Sequence, residues 1–184
     1  DAYGQVITRT NAGGAYEEFT FDSRGNRTSY TDYEDNTWTY TYDDLGRMLT
    51  QTDPNNQTTT YTYTGGCSSC GGASGQIASI TFSDNRQLLF EYDNNGNLIL
   101  QTDPLGHETA YEYDDMGRLV KIITEEGREQ TFTYDTLGNM THHKDFGGKV
   151  TRYAYDYRGL MKRSWVYHDS AEDTLVVNEY DQNG

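Results

Sequence analysis

Cys67 and Cys70 stand two residues apart in the run Gly65-Gly66-Cys67-Ser68-Ser69-Cys70-Gly71-Gly72. A Cys-x-x-Cys pair can close a local disulfide, supply half of a zinc site, or act as a redox couple. One pair alone lacks the second pair of ligands that zinc takes. Gly71 stands where a c-type haem site would carry His. A thioredoxin-like couple needs a helix N-terminus in a βαβ setting, and the surrounding sequence offers neither. For an exported protein the reading is a Cys67–Cys70 disulfide pinning a Gly-rich loop, with free thiols or a metal shared with another chain as the alternatives.

Other reactive side chains are scattered. The histidines are His107, His142, His143 and His168. His142 and His143 are adjacent in an extended segment, so they point to opposite faces and do not readily share a metal. Asp43-Asp44 and Asp114-Asp115 are paired carboxylates of the general kind a glycosidase uses. Both pairs fall in turns, however, where Asp caps backbone N–H groups. Clustered turn carboxylates offer at most a weak Ca²⁺ site, and their spacing matches neither an EF-hand nor a calcium-binding nonapeptide repeat. No cofactor is expected. Nucleophile elbows, phosphate loops and dinucleotide fingerprints are missing from the sequence. Asn26-Arg27-Thr28, Asn56-Gln57-Thr58 and Asn139-Met140-Thr141 fit the N-glycosylation pattern, which matters only in a eukaryotic secretory host. The expectation is a protein that is not an enzyme.

The elements that would position these residues follow from composition and period. The chain has 184 residues, 34% hydrophobic, with a mean hydropathy of −0.90. That is little aliphatic material for a thick core. Yet 17 Tyr, 6 Phe and 2 Trp separate it from a disordered chain. Fourteen basic residues against 29 acidic ones give a net charge of −15. Such a field repels phosphate backbones and anionic membrane surfaces, so neither nucleic acid nor membrane insertion is expected. No apolar run approaches the ~18 residues of a bilayer span. The chain opens at Asp1 without a signal-peptide pattern and closes in an unfinished motif, so it reads as an internal piece of a longer polypeptide.

An aromatic-Asp-x-x-Gly signature recurs. Its aromatics are Phe21, Tyr42, Tyr63, Tyr92, Tyr113, Tyr134, Tyr155 and Tyr180. Six regular copies carry the turn pairs Asp22 and Gly25, Asp43 and Gly46, Asp93 and Gly96, Asp114 and Gly117, Asp135 and Gly138, and Asp156 and Gly159. The step is 21 residues; from 63 to 92 it is 29 and from 155 to 180 it is 25. Tyr63 keeps the phase but is followed by Thr64-Gly65-Gly66. A second turn follows each signature about ten residues later, as in Asp32-Tyr33-Glu34-Asp35, Asp53-Pro54-Asn55-Asn56 and Asp103-Pro104-Leu105-Gly106. Asp first, Pro second and Gly fourth are type I turn preferences. Two turns per repeat leave segments of strand length, and these alternate: Trp38, Tyr40 and Tyr42 on one face, Thr37, Thr39 and Thr41 on the other. The fold class is all-β. Tandem antiparallel hairpins of about fifteen short strands form one continuous twisted or spiral sheet, with equivalent tyrosines in columns. Residues 1–184 form a single array of about eight units, with insertions at 64–75 and near 167–173.

The pattern Tyr-Asp-x-x-Gly-[Arg/Asn]-[Leu/Met], as in Tyr42-Asp43-Asp44-Leu45-Gly46-Arg47-Met48 and Tyr113 to Leu119, resembles the YD repeat, also called the RHS repeat. The resemblance covers residues 8 to 184. It implies large secreted or cell-surface proteins: bacterial RHS and wall-associated polymorphic toxins, insecticidal toxin-complex shells, and teneurins. There the hairpins wind into a spiral sheet that closes as a hollow shell, around a toxic domain in the bacterial toxins. The self-cleaving core segment that ends the bacterial shells is not found here. Asp103-Pro104-Leu105-Gly106 resembles part of it but sits at a regular repeat position. The expected role is a structural shell or wall segment enclosing a toxin or other cargo. The alternatives are a self-assembling extracellular filament or tube and a carbohydrate or cell-surface binding module. Expected partners are further repeats of the same or identical chains through strand edges, an enclosed toxin domain, or surface glycans.

Overall fold

The computed structural model describes residues 3–65, 75–168 and 171–178. Among these residues the regular elements are strands: β1 (Thr8–Thr10), β2 (Tyr16–Phe21), β3 (Arg27–Thr31), β4 (Thr37–Tyr42), β5 (Met48–Thr52), β6 (Thr58–Tyr63), β7 (Ile77–Thr81), β8 (Gln87–Tyr92), β9 (Leu98–Thr102), β10 (Glu108–Tyr113), β11 (Leu119–Thr124), β12 (Glu129–Tyr134), β13 (Met140–Lys144), β14 (Val150–Tyr155), β15 (Met161–His168) and β16 (Ala171–Val177). They form one antiparallel sheet whose spatial order is the chain order. Sixteen strands replace the fifteen expected, and the repeat accounts for all of them. Cys67, Cys70, Tyr180 and the disulfide reading lie outside the described residues.

Alternating Thr and aromatic residues make the strands, because β-branched and aromatic side chains fit a pleated surface. Both turns of the repeat share one geometry. In the first, Asp43 N–H donates to the Arg47 carbonyl at 2.9 Å and Gly46 N–H to the Asp43 carbonyl at 3.0 Å. In the second, Asp53 N–H donates to Gln57 and Asn56 N–H to Asp53, each at 3.0 Å. The fourth residue carries positive φ in each: +79° at Gly46, +61° at Asn56. Asp35 and Asn85 take the same conformation without being glycine, at +63° and +65°; short polar side chains tolerate it best. The turn from Phe82 to Arg86 has this geometry although Phe stands where the pattern expects Asp, so the pattern alone does not reveal it.

What distinguishes the two hairpins is a bulge. Tyr42 pairs with Met48, whereas Thr41 pairs with Thr50, leaving Leu49 extra. The same shift recurs before Phe21, Tyr63, Tyr113, Tyr134 and Tyr155. From β1 to β14 the second-turn hairpins run in plain register, as in Thr52 with Thr58, while β15 and β16 shift register between Val166 and Tyr167. The extra residues near 167–173 lengthen a hairpin: β15 has eight residues, against five in β5, β9 and β13.

The contacts divide the chain into two compact units, Asp1–Phe90 with Asp103–Leu105, and Glu91–Thr102 with Gly106–Gly184. Within the first, one face carries Phe19, Tyr30, Trp38, Tyr40 and Tyr61, and the other carries Thr39, Thr41, Thr50, Thr52 and Thr60. Within the second, Tyr111, Phe132 and Tyr153 share one face, and Glu112, Lys121 and Thr133 the other. Among the described residues only Tyr40 is buried, at 8% exposure. A single sheet layer cannot enclose a side chain from both sides, which is why an aromatic-rich but aliphatic-poor sequence suffices.

Candidate functional site: the repeat turn and its tyrosine tie

The recurring chemistry sits at the aromatic-Asp turn. Asp114 Oδ1 accepts the backbone N–H groups of Met116 and Arg118, each at 3.0 Å, while its Oδ2 accepts Arg118 Nε at 2.8 Å. Asp22, Asp43, Asp93 and Asp135 repeat the arrangement, with Asn26, Arg47, Asn97 and Asn139 as side-chain donors. At Asp156 the donor shifts to Arg158, because Leu160 occupies the usual place. A carboxylate that accepts three hydrogen bonds prefers to stay ionised. These carboxyls accordingly lie below the usual carboxylate range. The leading cause is the side-chain donor at Asp22, Asp93, Asp114 and Asp135, and the Arg47 backbone N–H at Asp43. At Asp156 partial desolvation opposes the shift, and the Leu160 and Arg158 donors together outweigh it.

The paired carboxylates have split roles. Asp43 works inside its turn, while the adjacent Asp44 faces solvent and meets Arg24 of the preceding repeat at 3.0 Å. Histidines 142 and 143 point to opposite faces as expected: His142 Nδ1 lies 3.0 Å from Thr133 Oγ1, and the His143 ring stacks on Phe132 at 5.1 Å. The amides of Asn26 and Asn139 each donate within their own turn at 2.9 Å, so those two glycosylation patterns are occupied by the fold.

The tyrosine side chain reaches beyond its own hairpin. The hydroxyls of Tyr42, Tyr63, Tyr134 and Tyr155 donate to the carbonyls of Arg27, Met48, Leu119 and Met140, at 2.9, 2.6, 2.8 and 2.8 Å. Each acceptor lies fifteen residues earlier, in the residue paired with the preceding repeat's aromatic at its bulge. Arg47 and Arg118 then lie over the rings of Tyr63 and Tyr134, at 4.5 and 4.7 Å to the centroids. Partial burial of the rings raises the phenol pKa of Tyr42, Tyr63, Tyr92, Tyr113 and Tyr155.

This revises the expected aromatic column. Equivalent residues one repeat apart are two strands apart, about 10 Å, which is too far for the rings to stack. The link runs instead through hydroxyl, carbonyl and guanidinium. Ring stacking occurs between adjacent strands, as in Phe19–Tyr30–Trp38 at 5.2 and 5.3 Å. Those rings face one another, so they offer no open row of ring faces to a sugar. Sequence reasoning places the tyrosine without its acceptor. The usable signal is Tyr rather than Phe at the seven copies that follow Phe21.

Fold and site together define a β-hairpin repeat protein whose units are joined by side chain to backbone ties. The family pattern described as RHS Repeat matches residues 21–58, 92–129 and 117–150, more than half of the sequence, and the chain belongs to that family. Comparison with curated proteins finds none that matches. Among solved structures, the Photorhabdus luminescens Tc holotoxin pore is similar at 18% identity and a TM-score of 0.61, over 94% of this chain and 12% of that one. The TcdB2-TccC3-Cdc42 structure gives the same four values. TcdB2-TccC3-TEV follows at 14% identity and 0.55, over 99% of this chain and 12% of that one. At such identities the likeness is one of fold, and this chain spans 12% of those chains' length.

Proposed function

We propose that this chain is a non-catalytic wall segment of a large secreted or cell-surface protein, a single array of repeats that helps to enclose a toxin domain or another cargo. The observation that carries this reading is the tie from each Tyr hydroxyl to the carbonyl fifteen residues earlier, seen at Tyr42, Tyr63, Tyr134 and Tyr155. A tie that points to the previous repeat lets hairpins be added indefinitely along one direction without a closed core. The partners are further repeats meeting at strand edges, which template continuation. The repeat aromatics and the Asp and Gly of each turn carry the function, which is mechanical, and the Cys67–Cys70 pair would pin the one Gly-rich loop.

Electron microscopy of the native full-length polypeptide tests the proposal. Hollow closed particles are expected. Long polymers would assign the repeats to a filament instead, and compact solid particles would remove the wall reading altogether.

A further inference from the structure

The basic residues are not spread evenly. Six of the 14 Lys and Arg fall in residues 144–163, with only two of the 29 Asp and Glu. The rest of the chain keeps eight bases against 27 acids. Strands β13, β14 and β15 hold no acidic residue. Eight of the chain's cations, Arg9, Arg47 and Arg118 among them, have a carboxylate within ion-pair reach, and Arg27 lies over the rings of Tyr30 and Tyr40. Lys144, Lys149, Lys162 and Arg163 have no such carboxylate among the described residues, and all four are exposed to solvent.

The register gathers these charges. Lys144 stands opposite Val150, Arg152 opposite Trp165, and Ala154 opposite Arg163. Residues two apart along a strand share a side, so Lys144, Arg152 and Arg163 lie on one face, with the half-buried Trp165 beside Arg152. Two acids border that face. Glu129 of β12 is held by Lys121 at 3.6 Å, and Glu172 of β16 is paired with Tyr167. The repeat does not impose the charge. The place of Lys144 is taken by Ile123, Thr102 and Thr81 in the three preceding repeats, and that of Arg152 by Thr131, Ala110 and Leu89. Like charges crowded on one face cost stability, so the sheet itself gains nothing from them.

We infer that this face docks a short acidic stretch of another polypeptide. Its carboxylates meet Lys144, Arg152 and Arg163, and its apolar atoms cover Trp165. Charge complementarity selects the class of occupant, and the surrounding charge limits its size. Three strands span about 10 Å, and beyond them the chain is acidic. A nucleic-acid duplex or an anionic bilayer is wider than the patch and would lie against those acids. A second copy would bring a net charge of −15 against the same charge here. A short acidic segment avoids both penalties. The inference does not rest on the wall reading.

The test titrates the whole chain into a fluorophore-labelled glutamate octapeptide and follows anisotropy. Saturable binding that weakens as salt is raised is expected. A variant carrying both Lys144→Thr and Arg152→Thr installs residues that Thr102 and Thr131 already supply at those places, so its circular dichroism should be unchanged. It should bind at least tenfold more weakly. Arg9→Thr with Arg86→Thr removes the same charge from exposed side chains of the first unit and should leave the affinity within twofold. Arg163→Ser, the residue at Ser79, should weaken binding severalfold on its own. Absence of saturable binding, or an equal loss in the first-unit variant, would overturn the inference. Tighter binding of a DNA duplex or of phosphatidylserine vesicles than of the peptide would overturn it and assign the face to phosphate. Self-association in sedimentation that the Lys144 and Arg152 variant abolishes would overturn it in favour of a second copy.

Discussion

At the residue scale the tyrosine hydroxyl and the turn aspartate do different work. Tyr155→Phe deletes one donor and strands the Met140 carbonyl, so it should cost about 1 kcal/mol in urea unfolding. Tyr157→Phe, at 91% exposure, should cost nothing. The carboxylates set the acid limit. Because Asp22, Asp43, Asp93, Asp114, Asp135 and Asp156 titrate lower when folded, their contribution is present above the unfolded value near 4 and lost as pH falls through the folded values. The phenols set the alkaline limit. Tyr42, Tyr63, Tyr92, Tyr113 and Tyr155 titrate higher when folded, so their contribution is full below about pH 10 and lost above it. A melting-temperature profile against pH should therefore be flat between about 5 and 9 and fall on both sides. Replacing Asp114 and Asp135 by Asn should flatten the acid side.

At the element scale each hairpin whose turn is described depends on one residue with positive φ. At Gly138, with φ +90°, an added Cβ would meet nothing within 4 Å, so Gly138→Ala should cost the conformational term alone, about 1 kcal/mol. Gly46→Ala should cost more, because its Cβ would come within 3.3 Å of Asn26 Oδ1 in the preceding repeat. Asn85→Gly should stabilise by up to about 1 kcal/mol, since Asn85 holds φ +65° against the steric cost of its own side chain. Chemical denaturation of the three variants in parallel checks the order. The second-turn hairpins from β1 to β14 lack the bulge, and hydrogen exchange should find their turns opening more readily than the tyrosine-tied ones.

At the scale of the whole molecule, stability is spread along the sheet. Tyr40→Ala should be the most damaging aromatic truncation, about 2–4 kcal/mol, because Tyr40 alone among the described residues is buried and Arg27 lies over its ring at 5.0 Å. Tyr16→Ala, on an exposed ring, should be close to neutral. Thermal scans of both variants would show the contrast, and similar losses would mean that a core exists after all.

The period, the strand class, the repeat's two turns and the face each side chain takes are legible in the residues alone. All of these follow from short-range rules: alternation, turn preference, and the conformation that Gly, Asn and Asp allow. What depends on register is not legible there. A bulge at Leu49 and its counterparts shifts the pairing by one residue, and the two-strand gap between repeats carries Tyr63 past ring contact to the Met48 carbonyl. Which threonines share a row, and which arginine covers which tyrosine, are likewise decided in the folded sheet. Cross-strand neighbours are fixed by long-range pairing, and no local signal in the chain encodes that alignment.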